Sequence, residues 1–159
     1  MLEARIKNLK MKSPFSKSIS FAKKYDRLLK TVKASDTLAI LINADPDSMA
    51  SAMALKRIFW RKVRRVLIYR INSIERADNL AFVKFLSIDQ KHIRFMKRSM
   101  INKWAIVDSQ PQHHKLFKDH PYNIIIDHHP VTDSLKADFI DIREDYGANS
   151  SIMTEYLRA

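Results

Sequence analysis

The chain contains no cysteine. Disulfides, zinc–thiolate centres and cysteine nucleophiles are excluded together, so any metal must sit on His, Asp, Glu or Asn. Such donors suit hard or borderline ions such as Mg²⁺ or Mn²⁺. Glycine is nearly absent too: Gly147 is the only one. A Walker phosphate loop and a dinucleotide fingerprint each need several glycines for close backbone approach, and neither can be built here. Phosphate would have to be held by metals, side chains or helix N-termini. No apolar run approaches the roughly 20 residues of a membrane span, and no apolar signal core follows the basic start. The expected location is cytoplasmic, with no membrane partner. Acidic residues are outnumbered: 17 Asp and Glu stand against 29 Lys and Arg, a formal net charge of +12. That field attracts anions in general and does not choose among them.

With 159 residues, 46% of them apolar, the chain suits one globular domain. Residues 1–14 read as a basic arm ending at Ser13-Pro14. From 15 to 33, Ile19, Phe21, Tyr25, Leu28, Leu29 and Val32 recur at helical spacing. A run apolar on both faces, 37–42, predicts a buried parallel strand. Further strands are expected at 66–69, 104–108 and 123–127, with weaker ones at 92–96 and 138–141. Helices are expected at 48–61, 75–86, 110–118 and 148–158. The alternation predicts an α/β three-layer sandwich, with a mostly parallel sheet of about five strands and helices on both faces.

In open parallel sheets, ligands bind beyond the carboxyl ends of the strands. Three predicted strands run into Asp45-Pro46-Asp47, into Asp108 and into Asp127-His128-His129. Each group has a plain explanation: Asp-Pro-Asp-Ser is also a turn and N-cap sequence, Asp108 is also a cap, and a His pair is also a loop feature. Together they place four aspartates and two histidines on one rim, where a cation is the simplest neutraliser.

These three segments, in this order, resemble the DHH phosphoesterase superfamily. The name-giving triplet is Asp127-His128-His129, followed by Pro130. The first motif resembles residues 45–55, and the second resembles Ile106-Val107-Asp108. The resemblance covers about 34–157 and implies hydrolysis of phosphate esters of small nucleotides or short oligonucleotides. Its cofactors would be two divalent metal ions, Mn²⁺ foremost and Mg²⁺ second. They would hold a bridging water and lower its pKa to give hydroxide near neutral pH. The resemblance implies metal ligation by Asp45, Asp47, Asp108 and His128, with Asp108 bridging. Asp127 would orient a neighbouring ligand from behind, and His129 would touch the substrate phosphate. Asp108, His128 and His129 are thus the expected catalytic set, and a homodimer is the expected assembly. Two departures accompany this. The family's first motif begins with a His where this chain has Leu41, for which the amide of Asn43 is a weaker substitute. The family's further metal-binding Asp and its C-terminal substrate-binding domain are not evident by Ala159, so 15–159 reads as a truncated DHH domain. A catalytically degenerate scaffold that binds anions or nucleic acid is the alternative.

His113, after Asp108, and Arg76, on the helix after the second strand, are further candidates for phosphate contact. Both sit where a solvated helix face is the ordinary reading. Basic pairs at Lys56-Arg57, Arg61-Lys62, Arg64-Arg65 and Lys97-Arg98 flank Trp60 and Tyr69. The primary expectation is solvated charge with both rings in the core. A nucleic-acid track with stacking platforms is the secondary one.

Overall fold

Every residue of Thr37–Ile42 (β1) is buried, which only a central strand covered on both faces achieves. In the computed structural model, which describes residues 21–159, β1 lies at the middle of a six-stranded, wholly parallel sheet. The other elements, in chain order, are α1 (Phe21–Leu29), α2 (Pro46–Ile58), β2 (Arg65–Arg70), α3 (Ala77–Phe85), β3 (Gln90–His92), β4 (Lys103–Val107), α4 (Lys115–Lys118), β5 (Ile124–Asp127), β6 (Phe139–Ile142) and α5 (Asn149–Arg158). The strand order is β3-β2-β1-β4-β5-β6. The chain therefore builds outward from β1 in one direction, then returns to β1's other side and builds outward again. The predicted basic arm and the first residues of the predicted helix over 15–33 lie outside the described residues.

Strand alternation divides the core into two layers. On one face Leu38, Ile40 and Ile42 join Val107, Ile124 and Ile126 beneath Met49, Leu55, Phe59, Ile152 and Tyr156. Residues from α1, α2, α3 and α5 cover this face. On the other, Ala39, Leu41, Ile106 and Ile125 meet Trp104, Phe117 and Tyr122. Its cover is thinner, consisting of α4, loops and the 3₁₀ turn Ile93–Phe95. Each fully buried Ile or Leu contributes roughly 1.5–3 kcal/mol, so the apolar strand runs favour a sheet covered on both faces.

Two expectations shift. The strand expected at 92–96 is the short β3, ending at His92, and Ile93–Phe95 turns instead. The helix expected at 110–118 is broken at His114, whose backbone is extended (φ −152°) and whose imidazole caps α4 by accepting from the Leu116 N–H. What matters for function is the reversal of strand order between β1 and β4. Just beyond their carboxyl ends the two connections diverge and leave a crevice.

Candidate metal centre

Asp45 and Asp47 follow β1 at this crevice. Asp45 is the N-cap of α2: its Oδ1 accepts from the Ser48 N–H at 2.8 Å, and the Ser48 hydroxyl oxygen accepts from the Asp45 N–H at 3.0 Å. The cap explanation of Asp45 is thus true, yet its side chain also lines the cleft. Asp47, two residues on, reaches across to α5. Its Oδ2 accepts from the Asn149 N–H (2.8 Å) and its Oδ1 from the Ser150 N–H (2.7 Å). The residue before α5, Ala148, has no capping side chain, so Asp47 neutralises that helix end from a distance in sequence. Burial pushes the Asp47 carboxyl up, but the Ser150 and Asn149 donors outweigh it and hold it below the usual carboxylate range.

Asp108 follows β4. Its backbone takes the left-handed conformation (φ 56°), which a residue with a Cβ adopts uncommonly and which Asp tolerates better than most. Its N–H donates to Ile126 O at 3.0 Å, tying the turn to β5. The side chain is only 5% exposed, and Oδ1 has no hydrogen-bond partner among the described residues. Burial first, then the negative charges of Asp47, Asp45 and Asp127, push this carboxyl up to about 8.

His128 and His129 follow β5. His128 Nδ1 lies 2.9 Å from Tyr146 O, and a carbonyl only accepts, so Nδ1 carries the proton. In the neutral ring, Nε2 then presents a lone pair. It lies 3.2 Å from Asp108 Oδ1 and 3.8 Å from Asp47 Oδ2. Two electron-rich atoms facing each other at this distance require a positive charge between them, either a proton or a cation. Asp127 is fully buried behind the pair. Its Oδ1 is 2.8 Å from His129 Nδ1, and its Oδ2 accepts from Gln110 Nε2 at 2.8 Å. Gln110 also donates to His129 O at 3.0 Å, fixing the loop that carries the imidazole. Asp127 thus orients His129 and leaves its Nε2 free.

Potential ligand atoms of Asp108, His128 and His129 all lie within 4.8 Å of one another, and so do those of His113, Asp127 and His129. Asn43, Asp45, Asp47, Asp108, His113, His128 and His129 all line one cleft of about 440 Å³, floored on its far side by Gly147 and Ala148. His113 Nδ1 accepts from the Gln110 N–H at 3.2 Å, so Nε2 carries the proton of the neutral ring. Burial holds its pKa below the ordinary imidazole value. Arg76 stands apart from the cleft-lining residues. It sits at the start of α3, largely exposed, in a two-pronged pair with Asp78 (2.7 and 3.1 Å). Leu41 is fully buried between Tyr69 and Ile106 in neighbouring strands, inside the apolar layer. Sequence reasoning did not find Gln110, the Tyr146 carbonyl or the Asn149 and Ser150 amides. Three of these four are backbone groups, which leave no mark in residue type.

Donors of this kind fit a hard or borderline divalent cation: carboxylates and imidazoles, no thiolate, one buried carboxylate oxygen without a donor, and ring orientations fixed from behind. No helix among the described residues is long and apolar enough to cross a membrane. No family model matches the chain. It is 31% identical over 158 residues to an uncharacterized protein of Methanocaldococcus jannaschii. That similarity covers 98% of this chain and 33% of the other, so the chain spans about a third of the length of the curated relative it matches.

Proposed function

We propose that this protein is a metal-dependent phosphoesterase of the DHH type, hydrolysing phosphate esters of small nucleotides or short oligonucleotides with two divalent cations, Mn²⁺ first. The observation that carries the proposal is the Asp108–His128 contact: a buried carboxylate oxygen with no donor, facing an imidazole nitrogen whose proton is on the other side of the ring. In such a centre the cations supply water activation and neutralise phosphoryl charge. The chain's own groups supply the rest. Asp108, His128, Asp47 and Asp45 hold positive charge at the rim. Asp127 and Gln110 lock His129 so that its free nitrogen meets a phosphate oxygen. His113 has a ring N–H to donate to the same group.

The direct test is hydrolysis of bis-p-nitrophenyl phosphate with and without Mn²⁺. We expect Mn²⁺-stimulated turnover, reduced at least about a hundredfold by Asp108→Ala, with Asp108→Asn as the milder control for folding. Turnover indifferent to Mn²⁺, or to loss of Asp108, sinks the proposal.

A second reading is a scaffold that binds anions without hydrolysing them. Two observations favour it: Leu41 is buried in the apolar layer, and both Asp45 and Asp47 are already engaged as helix caps. It predicts phosphate binding that EDTA does not change, together with no turnover in any metal.

A further inference from the structure

Tyr69 is buried in the sheet, as expected, but Trp60 is not: 54% of it faces solvent, just beyond the end of α2. Tryptophan carries more apolar surface than any other side chain, so leaving it in water needs a reason. The guanidinium carbons of Arg57 and Arg61 each lie 4.5 Å from its ring centroid. Arg61 reaches that position from a left-handed backbone (φ 61°), a conformation unfavourable to a residue with a Cβ. Beside the ring runs a groove of about 290 Å³ whose walls include Met53, Lys56, Ile68 and Ile88. Exposed Lys62, Arg64 and Arg65 extend the positive charge, and Asp89 is the only acidic residue lining the groove.

We propose that this surface binds single-stranded nucleic acid, with a base stacked on the Trp60–arginine assembly and phosphates taken by Arg57, Arg61 and Lys56. The combination chooses the ligand. A flat aromatic face layered with guanidinium planes matches an unpaired base, which a duplex hides, and the flanking cations match the backbone between bases. Lys56 has Asp89 at 3.8 Å, but an apolar protein partner would desolvate Arg57 and Arg61 without offering them a counter-charge. The surface is separate from the cleft: α2 has 13 residues, so roughly 20 Å of helix lies between Asp45 and Trp60. That separation suits a chain rather than a mononucleotide, and the proposal does not depend on the cleft holding metal.

The test is fluorescence anisotropy of a short labelled oligothymidylate, with EDTA present so that hydrolysis plays no part. Wild-type affinity should fall with salt. Trp60→Ala should weaken binding roughly tenfold, while Trp60→Phe, which keeps a stacking face, should retain most of it. Replacing both Arg57 and Arg61 by Gln should reduce the slope of log affinity against log salt by about 1.4, two phosphates at about 0.7 each. Thermal melts of each variant confirm folding, since all three side chains are exposed. Unchanged affinity in Trp60→Ala overturns the proposal. So does duplex DNA bound as tightly as the single strand, or vesicles containing phosphatidylserine bound in preference to either. Because no turnover is read, failure here leaves the phosphoesterase reading where it stood, and failure of that reading leaves this one intact.

Discussion

Asp108 and Asp141 are the same residue type at nearly the same depth, with side chains 5% and 8% exposed, yet they are finished in opposite ways. Asp141, on β6, is saturated. Its Oδ1 accepts from Lys24 Nζ at 2.9 Å, and its Oδ2 accepts from Arg143 Nε and Nη2 (3.1 and 2.8 Å) and the Tyr156 hydroxyl (2.5 Å). Arg143 continues the network to Glu155 and Tyr146. Burial pushes the Asp141 carboxyl up, but donors on Arg143, Tyr156 and Lys24 overcome it and hold it low. Asp108 has three acidic neighbours and an orphan oxygen, and it is pushed up to about 8. A buried charge that serves the fold comes with its counter-charges built in. One that lacks them, on a rim with other carboxylates, must be neutralised by a proton or by a cation.

The contrast breaks most visibly at Asp141. Asp141→Asn removes the anion at the centre of the network and leaves Arg143 buried with Glu155 as its remaining acid. The expected loss is about 3–5 kcal/mol in urea denaturation. Because the folded pKa of Asp141 is depressed, its contribution is present above the unfolded value of 3.8 and is lost as pH falls through the lower folded value. Wild type should therefore lose stability in acid below about pH 4, and the variant should lose less there. A variant as stable as wild type would mean that the saturated network does not hold β6 and α5 together.

Leu41 tests the other side of the comparison, by adding a ligand where the fold has no place for one. Leu41→His puts a polar ring at a fully buried position between Tyr69 and Ile106. The expected cost is about 2–3 kcal/mol, from lost packing and a buried polar group. Mn²⁺ affinity by calorimetry should not rise. A variant that bound Mn²⁺ more tightly at little cost would place the 41 side chain within reach of the cleft and show that the apolar layer does not seal this position off from a cation.

These residues also mark how far the sequence could be read. β1, β4 and β5 were legible because runs such as Leu38–Ile42 and Ile124–Ile126 are apolar on both faces, and nothing but a covered parallel strand uses that pattern well. The rim was legible because parallel strands all deliver their carboxyl ends to one edge, so Asp45, Asp108 and His128 had to be neighbours once the strands were right. β3 was misplaced because Gln90-Lys91-His92 has no apolar signal, while the Ile93 and Phe95 that follow it belong to a turn. The capping role of Asp47 toward α5 was hidden because its partners are backbone amides about a hundred residues away. Trp60 was expected in the core on residue type alone. Its exposure depends on where α2 ends and on Arg57 and Arg61 flanking it, which only three-dimensional packing reveals.

Asp108→Asn should reverse the sign seen at Asp141. The raised folded pKa means that, without metal, the wild-type protein keeps a proton that the unfolded chain has released. Stability attributable to this proton is complete below the unfolded value of 3.8 and drains away as pH rises through about 8. Asparagine carries no charge and tolerates the left-handed backbone. In EDTA the variant should match wild type near pH 4 and exceed it above pH 8 by on the order of 1–2 kcal/mol, the open cleft screening part of the effect. Adding Mn²⁺ should then favour wild type, more so at higher pH, because the proton must leave before a cation can take its place. Thermal melts across pH, with and without Mn²⁺, read both halves. A variant less stable than wild type at pH 8 in EDTA would show that Asp108 is satisfied in a way its geometry does not indicate.

The finest division lies within one residue. Asp45 caps α2 and also faces the cleft, and the two roles use different properties of its side chain: capping needs only an oxygen that accepts from Ser48, whereas the cleft uses the charge. Asp45→Ser keeps an N-cap of nearly equal quality, so urea denaturation in EDTA should move by no more than about 0.5 kcal/mol. The same change takes one of the negative neighbours away from Asp108, whose carboxyl should titrate closer to its ordinary range. Mn²⁺ binding should weaken, while the single-stranded oligonucleotide held in EDTA near Trp60 should not notice. Stability lost beyond that bound, with Mn²⁺ affinity unchanged, would assign Asp45 to the helix alone and leave Asp47, Asp108 and His128 as the proposed ligands.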